Sequence, residues 1–191
     1  MKQSCGAKTL AIPTPVWVIG SYDEDGKANI ATAAWAGICC SQPPCLAVSF
    51  RKATHTHGAI VARQAFTVNI PGEAQAIAAD YAGIVSGRDV DKFAAAGLTA
   101  VRSKLVDAPY VAEFPVIIEC RLLHTLELGL HTQFVGEILD VKADVAVLGA
   151  KGYPDITKVR PFTWDSAHRG YYGLAPSLGM AWEIGKVLEK K

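Results

Sequence analysis

The sequence lacks the standard motifs for binding nucleotides and for nucleophilic hydrolysis. It has no G-x-G-x-x-G segment, no G-x-x-x-x-G-K-[ST] segment and no G-x-S-x-G segment. These absences exclude a Rossmann dinucleotide site, a P-loop and the nucleophile elbow of the α/β-hydrolases. If a pyridine nucleotide binds to this chain, it must bind in another way.

The sequence also has no marked excess of one charge and no long apolar run. Lysine and arginine number 19 against 18 aspartates and glutamates, and no block of like charges occurs. Neither nucleic acid nor an acidic membrane surface is therefore an expected partner. No window approaches the roughly 20 apolar residues of a membrane helix, and residues 1–6 lack the apolar core of a signal peptide. We expect a cytoplasmic protein without a membrane segment.

The five cysteines form no recognisable metal or disulfide pattern. Their number is odd, there is no C-x-x-C spacing, and Cys39 and Cys40 are adjacent. We expect reduced thiols that are mostly buried, and no metal site. A thiol-dependent activity of Cys39 and Cys40 is disfavoured, because a disulfide between adjacent cysteines forms only a strained ring.

The chain is predicted to be one mainly β domain, residues 1–191, since 50% of its residues are hydrophobic and no linker divides it. A turn at 23–26 joins the first two strand-like segments into a hairpin. The predicted strands are 16–22, 28–35, 46–50, 65–70, 116–122 and 134–141, and the predicted helices are 57–64, 73–81 and 89–96. This order favours an antiparallel barrel with helical additions over a doubly wound sheet.

Residues 29–44 combine small side chains with one large aromatic residue, Trp35, and end in the rigid pair Pro43-Pro44. Small side chains allow a flat ligand to lie against the backbone, and Trp35 offers an apolar wall. The segment therefore predicts part of a cofactor pocket. An ordinary packed strand with a buried tryptophan explains the same composition.

A cluster of cations and hydroxyls lies at residues 51–57, just before a predicted helix. Arg51 can grip phosphate oxygens with paired donors, Thr54 and Thr56 can donate hydroxyls, and the helix N-terminus adds partial positive charge. The cluster predicts a phosphate site; a solvated loop with a Thr N-cap is the alternative. A metal at His55 and His57 is disfavoured, because no third ligand lies close by.

Two further positions are candidates for ligand contact. His131 follows Gly129 and precedes a predicted strand, where its ring either faces a pocket or lies in an exposed turn. The glycines of the loop 83–93 give its backbone the freedom to bring Ser86 and Lys92 against a ligand. An ordinary surface turn explains the same segment equally well.

In this order the segments resemble the flavin-reductase-like, FMN-binding split-barrel family, and within it the flavoredoxins most of all. The resemblance spans about residues 6–183, and the shared order of its motifs is more specific than any single motif. The motifs are Pro15-Val16, Asn29 to Trp35, Ser41-Gln42-Pro43-Pro44, Ser49-x-Arg51-x-x-Thr54, Val68-Asn69-Ile70-Pro71, Ser86-Gly87 with Lys92-Phe93, and Gly129-x-His131 with Gly136-Glu137.

The resemblance implies a six-stranded antiparallel Greek-key split β-barrel with a few short helices. It also implies a homodimer that binds FMN noncovalently near the subunit interface. The residues that it assigns to the cofactor are Asn29, Thr32, Ala33, Ala34, Trp35, Ser49, Arg51, Thr54, Ser86 and Lys92. His131 would face the reactive side of the flavin and is the catalytic candidate.

Two functions fit this resemblance. The first is an FMN-binding redox protein that passes electrons through its flavin to transient partner proteins or another acceptor. The alternative is an NAD(P)H-dependent flavin reductase, with hydride transfer to flavin N5 and His131 positioning the donor. In both cases the flavin performs the redox chemistry while the protein sets its orientation, potential and access. The resemblance to flavoredoxins slightly favours the carrier.

Overall fold

The computed structural model describes residues 1–189, which consist mainly of β-structure with short helices. The strands are β1 (Thr14–Pro15), β2 (Trp17–Tyr22), β3 (Ala28–Ala33), β4 (Ala36–Ser41), β5 (Pro44–Arg51), β6 (Ala65–Ile70), β7 (Ala100–Arg102), β8 (Pro109–Val111), β9 (Val116–Leu128), β10 (His131–Ala143), β11 (Phe162–Asp165) and β12 (Gly170–Gly173). The α-helices are α1 (His55–Arg63), α2 (Ala76–Ile84), α3 (Lys92–Ala96) and α4 (Ile156–Val159). Short 3₁₀ segments occur at Glu73–Gln75, Val145–Val147 and Ile184–Leu188. The predicted mainly β class with few helices is confirmed.

The first hairpin forms where the sequence predicts it. Strands β2 and β3 pair antiparallel. The Asp23 N–H donates to the Lys27 carbonyl at 3.0 Å, and the Lys27 N–H donates to the Asp23 carboxylate at 2.8 Å. Gly26 has a φ of +80°, a conformation that glycine adopts without a steric penalty.

Seven strands form one sheet in the order β3-β2-β6-β9-β10-β5-β4, and all neighbouring pairs are antiparallel. The sequence and the family resemblance predict a split barrel of six strands and miss the edge strand β4. Residues Ile38, Cys39 and Cys40 of β4 are all exposed. This strand therefore lacks the alternation of buried and exposed residues by which a half-buried strand is recognised. The smaller sheets are β1-β11-β12 and β7-β8.

The two edges of the seven-stranded sheet are joined directly. Only Ala34 and Trp35 separate the end of β3 from the start of β4. Across the gap, β3 contacts β5, and the Ser49 N–H donates to the Trp35 carbonyl at 2.9 Å. The sheet must therefore curl until its edges meet, as in a barrel that is split along one seam.

Apolar clusters lie on both faces of the curled sheet. The inner cluster comprises Ile19, Ala33, Leu46, Val48, Phe50, Ile60, Phe66, Val68, Ile118, Cys120 and Phe134. The outer cluster, which includes residues of α2 and α3, comprises Val16, Val18, Ile30, Ala79, Ala82, Phe93, Val111, Phe114, Ile117 and Phe162. Val18 and Ile19 belong to different clusters because successive side chains of a strand point to opposite faces. Strand β2 is thus buried on both sides.

Local signals fix the helix ends. The Thr54 hydroxyl accepts a hydrogen bond from the His57 N–H and caps α1, which begins at His55 rather than at residue 57. Asp91 caps α3 in the same way, and Gly97 ends it with a φ of +64°. None of the helices within residues 1–189 has the length and apolar character needed to cross a membrane.

The cysteines divide into two groups. Cys45 and Cys120 are buried, whereas Cys5, Cys39 and Cys40 are exposed, and none is disulfide-bonded. The prediction that most cysteines are buried is therefore wrong. Cys39 and Cys40 are exposed because they belong to β4, the edge strand that the sequence pattern does not reveal.

Phe134 provides a test of the inner cluster, in which it is fully buried, at 0% exposure. We expect Phe134→Ala to lower the free energy of unfolding by about 3–5 kcal/mol, because it removes a large apolar group and leaves a cavity. Denaturant unfolding followed by circular dichroism measures this loss. Leu130→Ala is the control: its side chain is 65% exposed, so the expected change is at most about 0.5 kcal/mol. Equal losses in the two variants would contradict the assignment.

Candidate functional site

Two neighbouring cavities lie beside β3. The first, called the loop cavity here, has a volume of about 330 Å³, and the second, the tryptophan cavity, about 310 Å³. Each is of the size of a small-molecule site. Thr32, Gly83 and Ile84 line both cavities, so the two adjoin. The other residues of the loop cavity lie in segments 53–56 and 82–88 and at Ala31, Phe50 and Lys92; those of the tryptophan cavity are Val16, Ala34, Asp80, Trp164, Arg169 and Tyr171.

The start of α1 forms one wall of the loop cavity. Thr54 accepts a hydrogen bond from the His57 N–H at 3.3 Å and donates its own hydroxyl to the Arg51 carbonyl at 2.9 Å. The N–H groups of the first helical turn have no acceptor inside the helix and carry the positive end of its dipole. An anion in the cavity would therefore be stabilised by the start of α1.

Lys92 reaches the loop cavity from the start of α3. It is only 4% exposed, and its Nζ donates to the Ala82 carbonyl at 2.7 Å. This bond uses one of the three N–H donors of the ammonium group. Burial lowers the pKa of Lys92 to about 8, because the charged form loses hydration. Lys92 is thus a positioned cation that a bound anion would stabilise.

Ser86 and Arg88 lie on the loop that follows α2. The Ser86 hydroxyl accepts from the Arg88 N–H at 3.2 Å, and Arg88 Nη1 donates to the Ala53 carbonyl at 3.0 Å. The second bond connects this loop to the one that precedes α1. Since a guanidinium has five N–H donors, Arg88 keeps donors for an anion held between the two loops.

Asn29 lies behind the wall of the loop cavity and connects β3 to α1. It is 3% exposed, and its Nδ2 donates to the Thr56 hydroxyl at 3.0 Å. Its buried Oδ1 has no hydrogen-bond partner in the described part of the chain. A Cβ at Gly87 would stand 2.1 Å from this oxygen, so only glycine allows the loop to lie this close to β3. Asn29 therefore positions the cavity wall.

His55 lines the loop cavity with an unsatisfied ring nitrogen. Its Nε2 is buried and makes no hydrogen bond within residues 1–189, although Asp23 Oδ2 lies 3.4 Å away. This distance is long for a hydrogen bond, and a buried polar atom without a partner costs about 1–3 kcal/mol. Because the nitrogen is buried beside Asp23, His55 contributes to the cavity wall through the rest of its ring.

The neighbouring histidine, His57, has different surroundings. Its ring packs edge to face on Phe134 at 5.1 Å, and its Nε2 lies 2.9 Å from the Thr132 hydroxyl. Burial lowers the pKa of His57, which favours the neutral ring. Among residues 1–189, no three His, Cys, Asp or Glu side chains are grouped so that they could hold a metal ion.

Aromatic and small side chains form the tryptophan cavity. Trp164 of β11 lines it, and its ring stands 5.9 Å from that of Trp35 at an interplanar angle of 62°. Ala34 and Thr32 line the side formed by β3, where the Thr32 hydroxyl donates to the Ala79 carbonyl. The short side chain at Ala34 leaves room for a flat group beside the backbone.

Tyr171 and Asp80 connect β12 to α2 at the edge of this cavity. The Tyr171 hydroxyl donates to Asp80 Oδ1 at 2.8 Å. Burial, with the hydrogen bond to Asp80 as the second cause, raises the pKa of Tyr171 above its ordinary value. The phenol therefore stays protonated at neutral pH and continues to hold the C-terminal hairpin against α2.

The remaining predicted residues do not line the cavities described above. The side chain of Ala33 is buried in the inner cluster, so only its backbone can face a ligand. Arg51 is exposed at the end of β5, where His131 of β10 is its register partner, and Ser49 is opposite Gln133. The roles of Ser49 and Arg51 as flavin ligands, and of His131 as the catalytic residue, stay predictions.

A larger cavity, of about 550 Å³, lies away from these residues. Its walls include Glu73 and Arg160, which form an ion pair, together with Glu113, Asp144 and Lys158. None of the predicted site residues lines it, and neither does any aromatic side chain. Its larger volume therefore does not make it the better candidate for a flat cofactor.

Sequence reasoning missed several residues of the two cavities. Arg88 stands beside Gly87 in a loop that was already a candidate, so its cationic side chain was a usable signal. Trp164 and Tyr171 gave no such signal. The pairing of β11 with β1, which joins residues 150 positions apart, brings Trp164 to the site, and the local hairpin of β11 and β12 brings Tyr171 with it.

Comparison with known proteins identifies the fold family. A family model described as a flavin reductase like domain matches residues 9–161. The flavoredoxin of Desulfovibrio vulgaris (Miyazaki F) is 54% identical, with a TM-score of 0.93 and coverage of 97% of this chain and 100% of that one. The flavoredoxin of Methanosarcina acetivorans is 31% identical, with a TM-score of 0.90 and coverage of 98% of each chain.

A further relative is named as a rubredoxin rather than as a flavoredoxin. The high molecular weight rubredoxin of Moorella thermoacetica is 29% identical over 78% of this chain and 60% of its own length. The family match and the two flavoredoxins confirm the predicted resemblance, and with it the predicted class of function, a flavin-dependent redox protein. The chain therefore belongs to the flavin reductase-like family.

Proposed function

We propose that the protein binds FMN across the two cavities and carries electrons between redox partners. The observation that carries this proposal is the chemical difference between the adjoining cavities. The loop cavity offers cations, hydroxyls and a helix N-terminus, whereas most residues that line the tryptophan cavity are aromatic, aliphatic or small, with Asp80 and Arg169 as its charged groups. FMN has the same division, with a phosphate at one end and a flat ring at the other.

The phosphate would occupy the loop cavity. Ser86, Arg88 and Lys92 would hold it together with the first turn of α1, which Thr54 caps. Arg51 is retained as an outer contact, since it lies close in sequence but outside the residues that line the cavity.

The flavin ring would occupy the tryptophan cavity, between Thr32 and Ala34 on one side and Trp164 on the other. When bound, the flavin supplies the one- and two-electron chemistry. The protein would hold the ring in an apolar setting and control access to it. Trp35, which meets Trp164 edge to face, would support the wall rather than form it.

One structural observation favours a carrier over a reductase. His131, the candidate for positioning a nicotinamide, is absent from the residues that line the two cavities. The relative named high molecular weight rubredoxin extends beyond the part that this chain matches. A small iron–sulfur protein of the rubredoxin type is therefore the transient partner that we propose.

An NAD(P)H-dependent flavin reductase is the second candidate, and the family description favours it. In that case NADH or NADPH would be a transient electron donor that binds at the open side of the flavin. His131 would then help to position the donor near the ring. This assignment requires His131 to reach the cofactor from the edge of β10.

We also propose that the protein is a homodimer with the flavin near the interface. Large apolar side chains remain exposed on one chain, among them Ile84 (71%), Leu178 (93%) and Trp182 (90%). Exposed apolar side chains such as these commonly mark an interaction surface. Ile84 lines both cavities, so a second subunit that covers it would stand near the flavin.

The carrier proposal is tested by anaerobic absorbance spectra of the FMN-loaded protein. We expect dithionite or a reduced rubredoxin to bleach the flavin bands quickly, and NADH or NADPH to bleach them slowly or not at all. Rapid bleaching by NADH or NADPH would instead establish the reductase. If no flavin bands appear after reconstitution with FMN, both functions fail.

The phosphate site is tested by comparing Arg88→Ala with Arg51→Ala. We expect Arg88→Ala to weaken FMN binding about tenfold, at the low end for hydrogen bonds to charged groups because Arg88 is exposed. The loss in Arg51→Ala should be smaller. Fluorescence titration measures both, with riboflavin, which lacks the phosphate, as the control ligand. A similar loss of riboflavin binding would contradict the phosphate assignment.

Lys92 makes FMN affinity depend on pH. Its pKa in the free protein is about 8, and a bound phosphate would raise that pKa by stabilising the charged form. Above pH 8 binding then requires proton uptake, so affinity should fall as pH rises, by up to about tenfold per pH unit. Titrations from pH 7 to 9.5 measure this fall.

The matched control for this pH dependence is Lys92→Met, which keeps the length of the side chain without its charge. Its FMN affinity should be lower at pH 7 and should not fall above pH 8. Riboflavin binding to the original protein should also be flat over this range. A fall of the same slope in Lys92→Met would show that another group is responsible.

A further inference from the structure

Two cysteines face each other across the hairpin of β4 and β5. Cys40 of β4 is the register partner of Cys45 of β5, next to the closing pair of Ser41 and Pro44. Directly paired residues of antiparallel strands have Cα atoms about 4.5–5.5 Å apart and side chains on the same face. This spacing lies inside the range of about 4.4–6.8 Å that protein disulfides occupy. The backbone is therefore already placed for a Cys40–Cys45 bond.

Cys39 does not share this arrangement, although it is adjacent to Cys40 in the sequence. The register between β4 and β5 shifts between Ile38 and Cys40, so Cys39 is the residue without a partner on β5. Such a bulge leaves the extra residue outside the cross-strand pairing. Cys39 is thus exposed like Cys40 but lacks a cysteine directly opposite.

The two paired thiols differ in access. Cys40 is exposed, and its Sγ lies 3.4 Å from the Gln42 carbonyl. Cys45 is only 5% exposed. Burial, and then the neighbouring thiols of Cys40 and Cys39, raise the pKa of Cys45. A small reagent from solution would therefore react first at Cys40.

The surroundings of Cys45 strengthen this asymmetry. Its other register partner is Glu137 of β10, which in turn is opposite Arg121 of β9. Arg121 Nη2 and Glu137 Oε2 form an ion pair at 2.5 Å. These register pairs form one row of side chains across four strands: Cys40, Cys45, Glu137 and Arg121. The carboxylate beside Cys45 disfavours its thiolate, whereas Cys40 stands at the open end of the row.

We propose that Cys40 and Cys45 form a reversible dithiol–disulfide site that reacts with low-molecular-weight disulfides such as oxidised glutathione. The Cys40 thiolate attacks one sulfur of the small disulfide and releases one small thiol, which takes up a proton. The Cys45 thiolate then attacks the Cys40 sulfur of the mixed disulfide and releases the second small thiol. The protein loses two electrons and two protons, and the small disulfide is reduced to two thiols.

This site is separate from the residues proposed to bind FMN, so it does not rest on the proposed function. A disulfide there would fasten the edge strand β4 to β5 close to the turn. Residues Ala34 and Trp35 lie at the other end of β4. The ratio of small disulfides to small thiols in solution would thereby determine whether β4, the strand that follows the seam, is covalently linked to β5.

The site is tested on the flavin-loaded protein with oxidised glutathione, without air. We expect the number of free thiols, titrated after denaturation, to fall from the five cysteines of the chain to three. The intact mass should decrease by two hydrogen atoms, with no glutathione retained. Peptide mapping should find Cys40 linked to Cys45, and reduced glutathione should restore all the thiols.

Three single variants separate this site from its alternatives. Cys39→Ser should still close the disulfide, whereas Cys45→Ser should stop at glutathione attached to Cys40, and Cys40→Ser should form no bond to Cys45. The proposal is overturned if Cys39→Ser abolishes the disulfide, if the unmodified sequence retains glutathione without closing, or if the bond joins two chains. Circular dichroism of each variant verifies that it is folded.

Discussion

The short connection between the two edge strands is the constraint on which the rest of this structure depends. Strands β3 and β4 stand at opposite ends of the seven-stranded sheet, yet only Ala34 and Trp35 separate them in the chain. A flat sheet would hold its edges several strand spacings of about 4.8 Å apart. Two residues cannot span that distance, so the sheet has to curl.

The curl creates both the core and the candidate site. It encloses the inner apolar cluster, and it leaves the outer face of β3 to be covered by α2, α3 and the C-terminal hairpin. The cavities lie where this cover is incomplete. Both cavities therefore lie next to the seam. Residues 32–35 are found there because the chain passes from one edge strand to the other at Ala34 and Trp35.

Several polar side chains around the loop cavity are held by hydrogen bonds to the backbone. Lys92 donates to the Ala82 carbonyl, Thr32 to the Ala79 carbonyl and Arg88 to the Ala53 carbonyl. Asn29 adds a bond between side chains, to the Thr56 hydroxyl. These bonds fix the side chains before a ligand arrives, which reduces the entropy lost on binding.

Local patterns in the sequence are sufficient to predict the mainly β class, the first hairpin and several of the residues that line the loop cavity. These features depend on local chemistry: turn residues at 23–26, a threonine before a helix, and glycine beside Ser86. Family-specific motifs also lie along the chain in a fixed order, and that order pointed to the flavin. These signals predict Thr54, Ser86 and Lys92 as site residues, and all three line the loop cavity.

The residues that meet at the seam follow from the three-dimensional arrangement of the strands and are not evident from local sequence. The edge strand β4 has no alternating pattern, so neither its existence nor the pairing of Cys40 with Cys45 could be read from the sequence. Trp164 reaches the tryptophan cavity through the long-range pairing of β11 with β1, and Tyr171 follows on the adjoining strand β12, whereas Arg51 lies outside the lining although it adjoins the predicted loop. Local signals fix local conformation, but contacts between distant segments depend on the register and curl of the whole sheet.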